Sequence, residues 1–430
     1  MGASYRMSGL ITAAIITCSC TFLSFAENKI EKEGSDRKTQ PTASGSSILE
    51  ADIKAFIEKR LYTREEIDEW LTPKASAFSV YDNLMGYRNS NREYREGLDN
   101  SWVQYHYDER GARRMIMYAD QLCRINTYGS SFTDCEQVND GETWQERLAA
   151  HLGEPVRNYG IGGLTAYQAY VRMQREEIRT PAKYIILNLT PPYERHLFGW
   201  QSFFYSKSPK HPCPPLPHVR SNKATGQFEE RPNACPTPES LYNLCNLDWV
   251  YNTFKDDFML QIGVARENLQ KGSPQRSYEP ISRLAEHHGI RVNIKNPDTL
   301  ADVLDTLVNQ EAVYSTVRTL EKVRAFAEQN NKTVLYVFSY ASDVIEHSLN
   351  SGQRFDQDVV NYLREHRLPY VDMMAAYIRD SREYALPFNE YQKLHFLGHP
   401  SPLGNFFFAY SIKNKLAEIM DPKPLPYREK

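Results

Sequence analysis

Two stretches of this chain combine residue types that act together in nucleophilic catalysis. Ser131 lies in a Gly-Ser-Ser-Phe-Thr segment at residues 129–133, directly after a run rich in β-forming residues. In an α/β protein such a strand-to-helix turn is a common place for an exposed nucleophile. We interpret Ser131 as that nucleophile, and the alternative is a helix N-cap. His395 and His399 lie ahead of a helix predicted at 406–420, where a histidine can lean over the carboxyl edge of a sheet.

A glycine-rich turn at 158–165 lies between these stretches. A dinucleotide fingerprint needs Gly-x-Gly-x-x-Gly on the first strand of its unit, but here Gly160 and Gly162 are followed by Thr165 at the third glycine position. Nucleotide binding is therefore not expected. Glycines there let the backbone approach a ligand closely and direct an N–H at it, as an oxyanion hole requires.

The spacing of His395 and His399 would suit a metal ion if both lay on one helix. Gly398 and Pro400 oppose a helix there, so we expect neither a metal nor another cofactor.

The chain alternates between patterns typical of strands and of helices from residue 124 onward. Strand patterns cover 124–128, 183–189, 333–340 and 369–373, and helix patterns cover 141–152, 165–178, 297–330 and 355–366. This alternation predicts a parallel sheet with helices on both faces and functional residues on loops at the strand ends.

Two further segments flank or interrupt this pattern. Residues 48–120 are predicted to be an extension with helices, a capping box at Thr63 and a β-ribbon over 102–117. Residues 191–299 are predicted to be an inserted cap, because ten of the 24 prolines lie between Pro191 and Pro238. The catalytic domain then covers 121–190 and 300–425. The aromatic residues of the cap either stack on sugars or form its own core, and they include Phe203, Phe204, Tyr205, Trp249, Tyr251 and Phe254.

The N-terminus has the features of an export signal. Residues 1–26 combine Arg6, an uncharged apolar run and small residues before a cleavage point after Ala26, and 27–47 are expected to be a disordered linker. We therefore expect a secreted or periplasmic protein without stable membrane insertion after cleavage. Lipidation at Cys18 or Cys20 and a retained anchor are the alternatives. Because export permits disulfides, we predict a bridge between Cys213 and Cys235.

Composition limits the class of protein. The 430 residues are 41% hydrophobic and carry a formal charge of −3, which is typical of a globular protein. No block of Lys or Arg stands out, so no nucleic-acid partner is expected.

Three segments together resemble a known family. The Gly-Ser-Ser-Phe-Thr segment at 129–133, Asn-Tyr-Gly-Ile-Gly-Gly at 158–163 and Gly-His-Pro-Ser-Pro-Leu-Gly-Asn at 398–405 stand in the order of the first, second and fifth sequence blocks of the SGNH, or GDSL-type, serine esterases. The resemblance covers 124–189 and 332–420. It implies a flavodoxin-like sheet sandwiched by helices, with the extension and the cap outside it.

The resemblance also implies roles for individual residues. Ser131 would be the nucleophile and His399 its general base, and the N–H groups of Ser131 and Gly163 would be oxyanion donors. Asn158 and His395 lie within or beside the matching blocks and would have supporting roles.

Two departures from the family pattern concern the rest of the site. The aspartate expected three residues before the histidine is Phe396, so a backbone carbonyl, Asp372 or Glu390 would have to orient His399. The family's asparagine donor in the loop after the 183–189 strand is absent, and Arg195 or His196 would replace it.

The sequence thus predicts an exported serine esterase that uses an acyl-serine intermediate to deacetylate a carbohydrate. Its partner would be a small-molecule or polysaccharide ester. The alternatives are an O-acyltransferase with the same acyl-serine, and a glycan-binding protein on a decayed site.

Overall fold

The computed structural model describes residues 50–72, 77–207 and 212–428, which fold into a mixture of helices and strands. The strands are β1 (Ser79–Asp82), β2 (Gly86–Asn89), β3 (Arg92–Arg95), β4 (Trp102–Tyr105), β5 (Ile125–Tyr128), β6 (Arg157–Asn158), β7 (Tyr184–Leu189), β8 (His218–Asn222), β9 (Gln227–Arg231), β10 (Thr333–Phe338) and β11 (Tyr370–Asp372). The helices are α1 (Glu50–Glu58), α2 (Arg64–Leu71), α3 (Ser131–Asp134), α4 (Trp144–Leu152), α5 (Ala166–Arg179), α6 (Leu247–Phe254), α7 (Phe258–Gln270), α8 (Gln275–His287), α9 (Pro297–Gln329), α10 (Ser342–Ser351), α11 (Gln357–Glu365), α12 (Met373–Tyr384), α13 (Phe388–His395) and α14 (Pro402–Ile419). The predicted signal peptide and linker lie outside the described residues.

Five of these strands form one parallel sheet in the order β11-β10-β7-β5-β6. Of these five strands, β5 comes first along the chain, and β6 and β7 lie on either side of it. The strand order therefore reverses at β5. This arrangement is compatible with a flavodoxin-like fold, in which ligands bind beyond the carboxyl ends of the strands at such a reversal.

Successive side chains of β5 show that helices cover both faces of the sheet. Asn126 and Tyr128 hydrogen-bond to Glu177 of α5, whereas the intervening Thr127 accepts a hydrogen bond from Gln145 of α4. Since neighbouring residues of a strand point to opposite faces, α4 and α5 lie on opposite sides. The structure therefore confirms the predicted parallel sheet with helices on both faces.

The extension differs in part from its prediction. The capping box is present, because the Thr63 side chain accepts from the Glu66 N–H and the Glu66 carboxylate accepts from the Thr63 N–H. The ribbon predicted over 102–117 is confirmed only around its turn at 108–111, where Tyr107 and Arg113 form an antiparallel bridge. The first strand of the ribbon, β4, pairs with the preceding β3. The second half of the ribbon turns to the sheet: the Arg113 N–H donates to the carbonyl of Asn158.

Two of the aromatic residues of the insertion are packed inward. Phe203 and Phe254 are buried and lie edge to face with ring centroids 5.5 Å apart. Phe56 of α1 packs against Phe203 at 6.3 Å. These two cap residues therefore belong to a core shared with the extension, and the described residues form one compact unit.

The predicted Cys213–Cys235 bridge is also wrong. Both thiols are free and buried, with the sulfur of Cys213 facing the carbonyl of Ser206 and that of Cys235 facing the carbonyl of Ser240. Each sulfur thus has a different local backbone partner. Among the described residues, no helix has the length and apolarity needed to cross a membrane.

Candidate functional site

Strand β5 leads directly into the turn that presents Ser131. A side chain at Gly129 would overlap Thr133 Oγ1 and lie 2.7 Å from the carbonyl of Asn188, so only glycine fits between them. The Ser130 hydroxyl accepts a hydrogen bond from the Phe132 N–H and caps α3. Ser131 is the first residue of that short helix and is partly exposed. The capping role therefore falls to Ser130, which leaves the Ser131 hydroxyl available.

The loop between α13 and α14 brings His399 to this serine. The Nε2 atom of His399 lies 2.8 Å from Ser131 Oγ, within hydrogen-bonding distance. The imidazole packs beside the ring of Phe132 with centroids 5.2 Å apart, and a quarter of the side chain remains exposed. The structure thus brings together the two residues that the sequence predicts to be nucleophile and base, 268 positions apart in the chain.

Gln137 orients the imidazole and fixes its tautomer. Its side-chain oxygen lies 2.8 Å from the His399 backbone nitrogen and 3.3 Å from Nδ1. A backbone N–H only donates, so the amide atom facing it must be the acceptor oxygen. The same oxygen then requires a proton on Nδ1, which leaves Nε2 unprotonated and able to accept the Ser131 hydroxyl proton.

The two carboxylates predicted to orient His399 lie elsewhere. Asp372 caps α12 by accepting from the N–H groups of Met374 and Ala375, and it forms an ion pair with Arg354. Glu390 is exposed in the first turn of α13. Neither carboxylate hydrogen-bonds to His399 within the described part of the chain, so both predictions are wrong.

The glycine turn after β6 supplies the backbone opposite Ser131. Asn158 supports it by accepting a hydrogen bond from the Gly160 N–H at 2.9 Å. The Leu164 N–H bonds to the carbonyl of Ile161, and Gly163 has a φ of +80°, as the third position of a type II turn requires. A Cβ atom at Gly162 would lie 3.8 Å from that of Ser131, so the turn borders Ser131.

Tyr87 fixes the orientation of the peptide between Gly162 and Gly163. Its hydroxyl donates to the Gly162 carbonyl at 2.6 Å. In a trans peptide the N–H points opposite to the C=O, so the Gly163 N–H points away from Tyr87. Among described residues, neither this N–H nor that of Ser131 has a hydrogen-bond acceptor. Both are therefore available as donors, as an oxyanion hole requires.

Of the two residues predicted to replace the missing asparagine, only Arg195 lies near the site. Its Nη1 lies 3.7 Å from the position of a Cβ atom at Gly163, and its Nε donates to Tyr205. His196 is fully buried between the hydroxyls of Thr165 and Ser315.

Burial lowers the pKa of His196 to about 3, so its ring is neutral. The ring connects Thr165, which precedes α5, to Ser315 of α9. The prediction that His196 acts as an oxyanion donor is therefore wrong.

His395 also lies apart from the reaction centre. It is buried, its Nδ1 faces the carbonyl of Tyr391, and its ring packs 4.4 Å from that of Tyr391. Burial lowers its pKa. Since α13 ends at His395, the two histidines do not share a helix, and His395 has a packing role.

Sequence reasoning missed Glu136 as well as Gln137. The Oε2 atom of Glu136 lies 3.7 Å from His399 Nε2, and its Oε1 lies against Gly162, where a Cβ atom would overlap it. Burial, reinforced by the charge of Asp134, raises the pKa of the Glu136 carboxyl to about 8. No motif marks these two positions, because their orientation depends on the chain reversal after α3, where Cys135 and Gln137 have φ values of 62° and 73°.

Comparison with known proteins identifies no relative of this chain among the family models and curated proteins searched. No family model matches the chain, and a search of curated proteins finds no match. Within the described ranges, no group of three or more His, Cys, Asp or Glu side chains is arranged to hold a metal ion.

Residues of the extension hold α3, the helix that begins with Ser131, in place. Asp134, the last residue of α3, forms an ion pair with Arg92 at 3.0 Å, and both side chains are fully buried. Tyr107 and Asn89 donate to the same carboxylate. Arg113 donates to three carbonyls at the end of α3 and beyond it, those of Asp134, Cys135 and Val138. Residues outside the sheet thus complete the site.

The assembled groups can carry out acyl transfer. A hydroxyl lies within hydrogen-bonding distance of an imidazole whose other nitrogen is paired, and two backbone N–H groups lie beside it. These are the components needed to activate a serine and to stabilise an anionic tetrahedral species.

Proposed function

We propose that this protein is an exported serine esterase of the SGNH type, and that its substrates are acyl esters of carbohydrates, acetyl esters in particular. The observation that carries the proposal is the 2.8 Å contact between Ser131 Oγ and His399 Nε2, combined with the pairing of Nδ1 to Gln137. The order of the three sequence blocks supports the family assignment. The predicted export signal, and the carbohydrate esters that many enzymes of the resembled family act on, support the carbohydrate substrate.

The geometry supports a two-step reaction. His399 Nε2 accepts the Ser131 hydroxyl proton as Oγ bonds to the ester carbonyl carbon, and the N–H groups of Ser131 and Gly163 donate to the resulting oxyanion. As the C–O bond to the alcohol breaks, Nε2 returns the proton to the leaving oxygen. Water then attacks the acyl-serine with His399 as base, which releases the carboxylic acid and restores the Ser131 hydroxyl.

A covalent serine probe tests this proposal. We expect a fluorophosphonate to label the wild-type protein and Ser130→Ala, but not Ser131→Ala. The neighbouring Ser130 is a matched control, because its hydroxyl caps α3 and its loss costs about 1 kcal/mol of stability. Mass spectrometry of the labelled peptide identifies the modified serine. Labelling that persists in Ser131→Ala would contradict the assignment.

Acetate release measures the substrate class. We expect the wild-type protein to release acetate from an acetylated oligosaccharide, and Ser131→Ala to lose at least about 1,000-fold of that rate, as expected for loss of a covalent nucleophile. Phosphonate labelling without acetate release would retain the acyl-serine mechanism and reject this substrate class.

A further inference from the structure

Glu136 borders both halves of the reaction centre. Its carboxyl lies 3.7 Å from the nitrogen that accepts the serine proton, and it also touches Gly162, next to the Gly163 donor. Its side chain is 16% exposed. Within the described chain, this carboxyl forms no hydrogen bond to another residue. A proton on the carboxyl therefore has no protein acceptor and is available to a substrate.

Burial and the neighbouring charges together determine the protonation state of Glu136. Asp134 from α3 and Glu96 from the segment after β3 disfavour ionisation, whereas Arg92 from β3 and Arg195 from the loop after β7 favour it. His399 faces the carboxyl from the loop before α14. Burial is the largest influence and raises the pKa to about 8, so the acid form exceeds the carboxylate about tenfold at pH 7.

The loop after β7 supplies no asparagine donor to the proposed mechanism, although its Arg195 lies near Gly163. It has the sequence Thr-Pro-Pro at 190–192, where SGNH-type enzymes would have an asparagine, and His196 is buried elsewhere. A carboxylic acid can donate a hydrogen bond to a developing oxyanion, whereas a carboxylate would repel it. The neutral form of Glu136 is thus suited to the position.

We propose that Glu136 is a catalytic residue that donates a hydrogen bond from its protonated carboxyl to the oxyanion, as a third donor beside Ser131 and Gly163. This inference rests on the proposed acyl-serine chemistry. The proton stays on Glu136 throughout, so the transfers between Ser131, His399, the leaving alcohol and water are unchanged. The competing role is a carboxylate that pairs with the His399 imidazolium.

The pH dependence of matched variants distinguishes the two roles. Glu136→Gln keeps the size and an N–H donor but does not titrate, whereas Glu136→Ala removes the donor. We expect kcat for p-nitrophenyl acetate in the wild-type protein to fall about tenfold per pH unit above about 8, where Glu136 ionises. Glu136→Gln should remain within about threefold of wild type at pH 7 and lose the alkaline fall. Glu136→Ala should lose about 100-fold in kcat at pH 7 with little change in KM.

Two outcomes overturn the inference while the proposed function stands. One is an alkaline fall that persists unchanged in Glu136→Gln. The other is a loss in Glu136→Gln as large as that in Glu136→Ala, which would favour the carboxylate role. A wild-type protein without phosphonate labelling at Ser131 would overturn the proposed function, and this inference with it.

Thermal unfolding gives a readout independent of turnover. Because the fold favours the neutral acid, the wild-type protein loses stability as pH rises from about 4.5 towards 8, the interval between the unfolded and folded pKa values. Glu136→Gln removes that loss. We expect it to raise Tm relative to wild type at pH 9 and to leave Tm nearly unchanged at pH 4. Equal effects at both pH values would contradict a protonated Glu136.

Discussion

Gln137 orients His399 without neutralising it. In a Ser-His-Asp triad the aspartate both holds the imidazole and stabilises the imidazolium that forms when the serine proton is transferred. The amide oxygen of Gln137 contributes the first effect through its contacts with the backbone nitrogen and Nδ1 of His399. Its dipole contributes only weakly to the second. The proposed chemistry thus depends more strongly on oxyanion stabilisation than it does in an enzyme with a charged triad.

Variants at Gln137 separate these two effects. We expect Gln137→Ala to lower kcat on the order of 100-fold, because an unpositioned base loses part of its general-base contribution. Gln137→Glu should keep the orientation, and its charge should shift the acid limb of the kcat profile to higher pH by at least about one unit. Gln357→Ala, on the exposed face of α11, is the control and should match wild type. A wild-type rate in Gln137→Ala would rule out the orienting role.

The motifs made Ser131, Gly163 and His399 predictable, whereas Glu136 and Gln137 were not. A motif specifies the backbone conformation of a few consecutive residues. The turns at Ser131 and Gly163 depend on such local sequence, so the motifs were sufficient to predict them. The direction of Glu136 and Gln137 depends on the reversal after α3, which the extension holds from a distance through Arg113 and Tyr105. Asp372 and Glu390 were plausible from their positions, but the structure uses Asp372 as a helix cap and exposes Glu390.

At the scale of elements, α3 depends on its neighbours. A helix of four residues has too few internal hydrogen bonds to be stable alone. The carbonyls at its end and beyond it are instead taken up by the guanidinium of Arg113, whose Nε also pairs with Asp140 at 3.0 Å. The extension is therefore part of the proposed site, although it lies outside the segments that resemble a family.

Replacement of Arg113 tests this dependence. We expect Arg113→Met to reduce the free energy of unfolding by about 3–5 kcal/mol, because it leaves the buried Asp140 carboxylate and three carbonyls without this partner. Arg114→Met, at the neighbouring exposed position, should change it by less than about 0.5 kcal/mol. Urea unfolding followed by circular dichroism measures both. Similar losses in the two variants would show that the guanidinium does not brace α3.

At the scale of the whole molecule, local patterns identified the sheet but not every connection. β7 and β10 were predictable because each is a continuous apolar run, and the helix before Gly153 because its apolar residues recur on one face. Of the ribbon over 102–117 only the turn was correct, because β4 pairs with β3 and Arg113 also pairs with Asn158, a contact between distant parts of the chain. The predicted bridge between Cys213 and Cys235 was wrong for a related reason. Two cysteines that lie close together in the sequence of a Pro-rich segment need not have their sulfur atoms in contact in the fold.

The thiols offer a test of the whole packed unit. Cys123, Cys135, Cys213 and Cys235 are buried, and burial raises the pKa of each thiol, to about 12 for Cys213 and Cys235. The thiolate is the reactive form, so these four should resist alkylation in the folded protein. Cys245 is partly exposed and should react first.

Alkylation of the native protein at pH 8 by iodoacetamide, followed by peptide mass spectrometry, should therefore modify Cys245 at least about tenfold faster than the four buried thiols, because its sulfur is more accessible. In urea the differences should collapse as the core opens. Reductant should leave Tm unchanged, since the described cysteines are free. The opposite result would be a disulfide between Cys213 and Cys235 in a non-reducing peptide map, or a Tm lowered by reductant. Either result would show that a covalent link holds the insertion, in addition to the packing of residues such as Phe203 and Phe254.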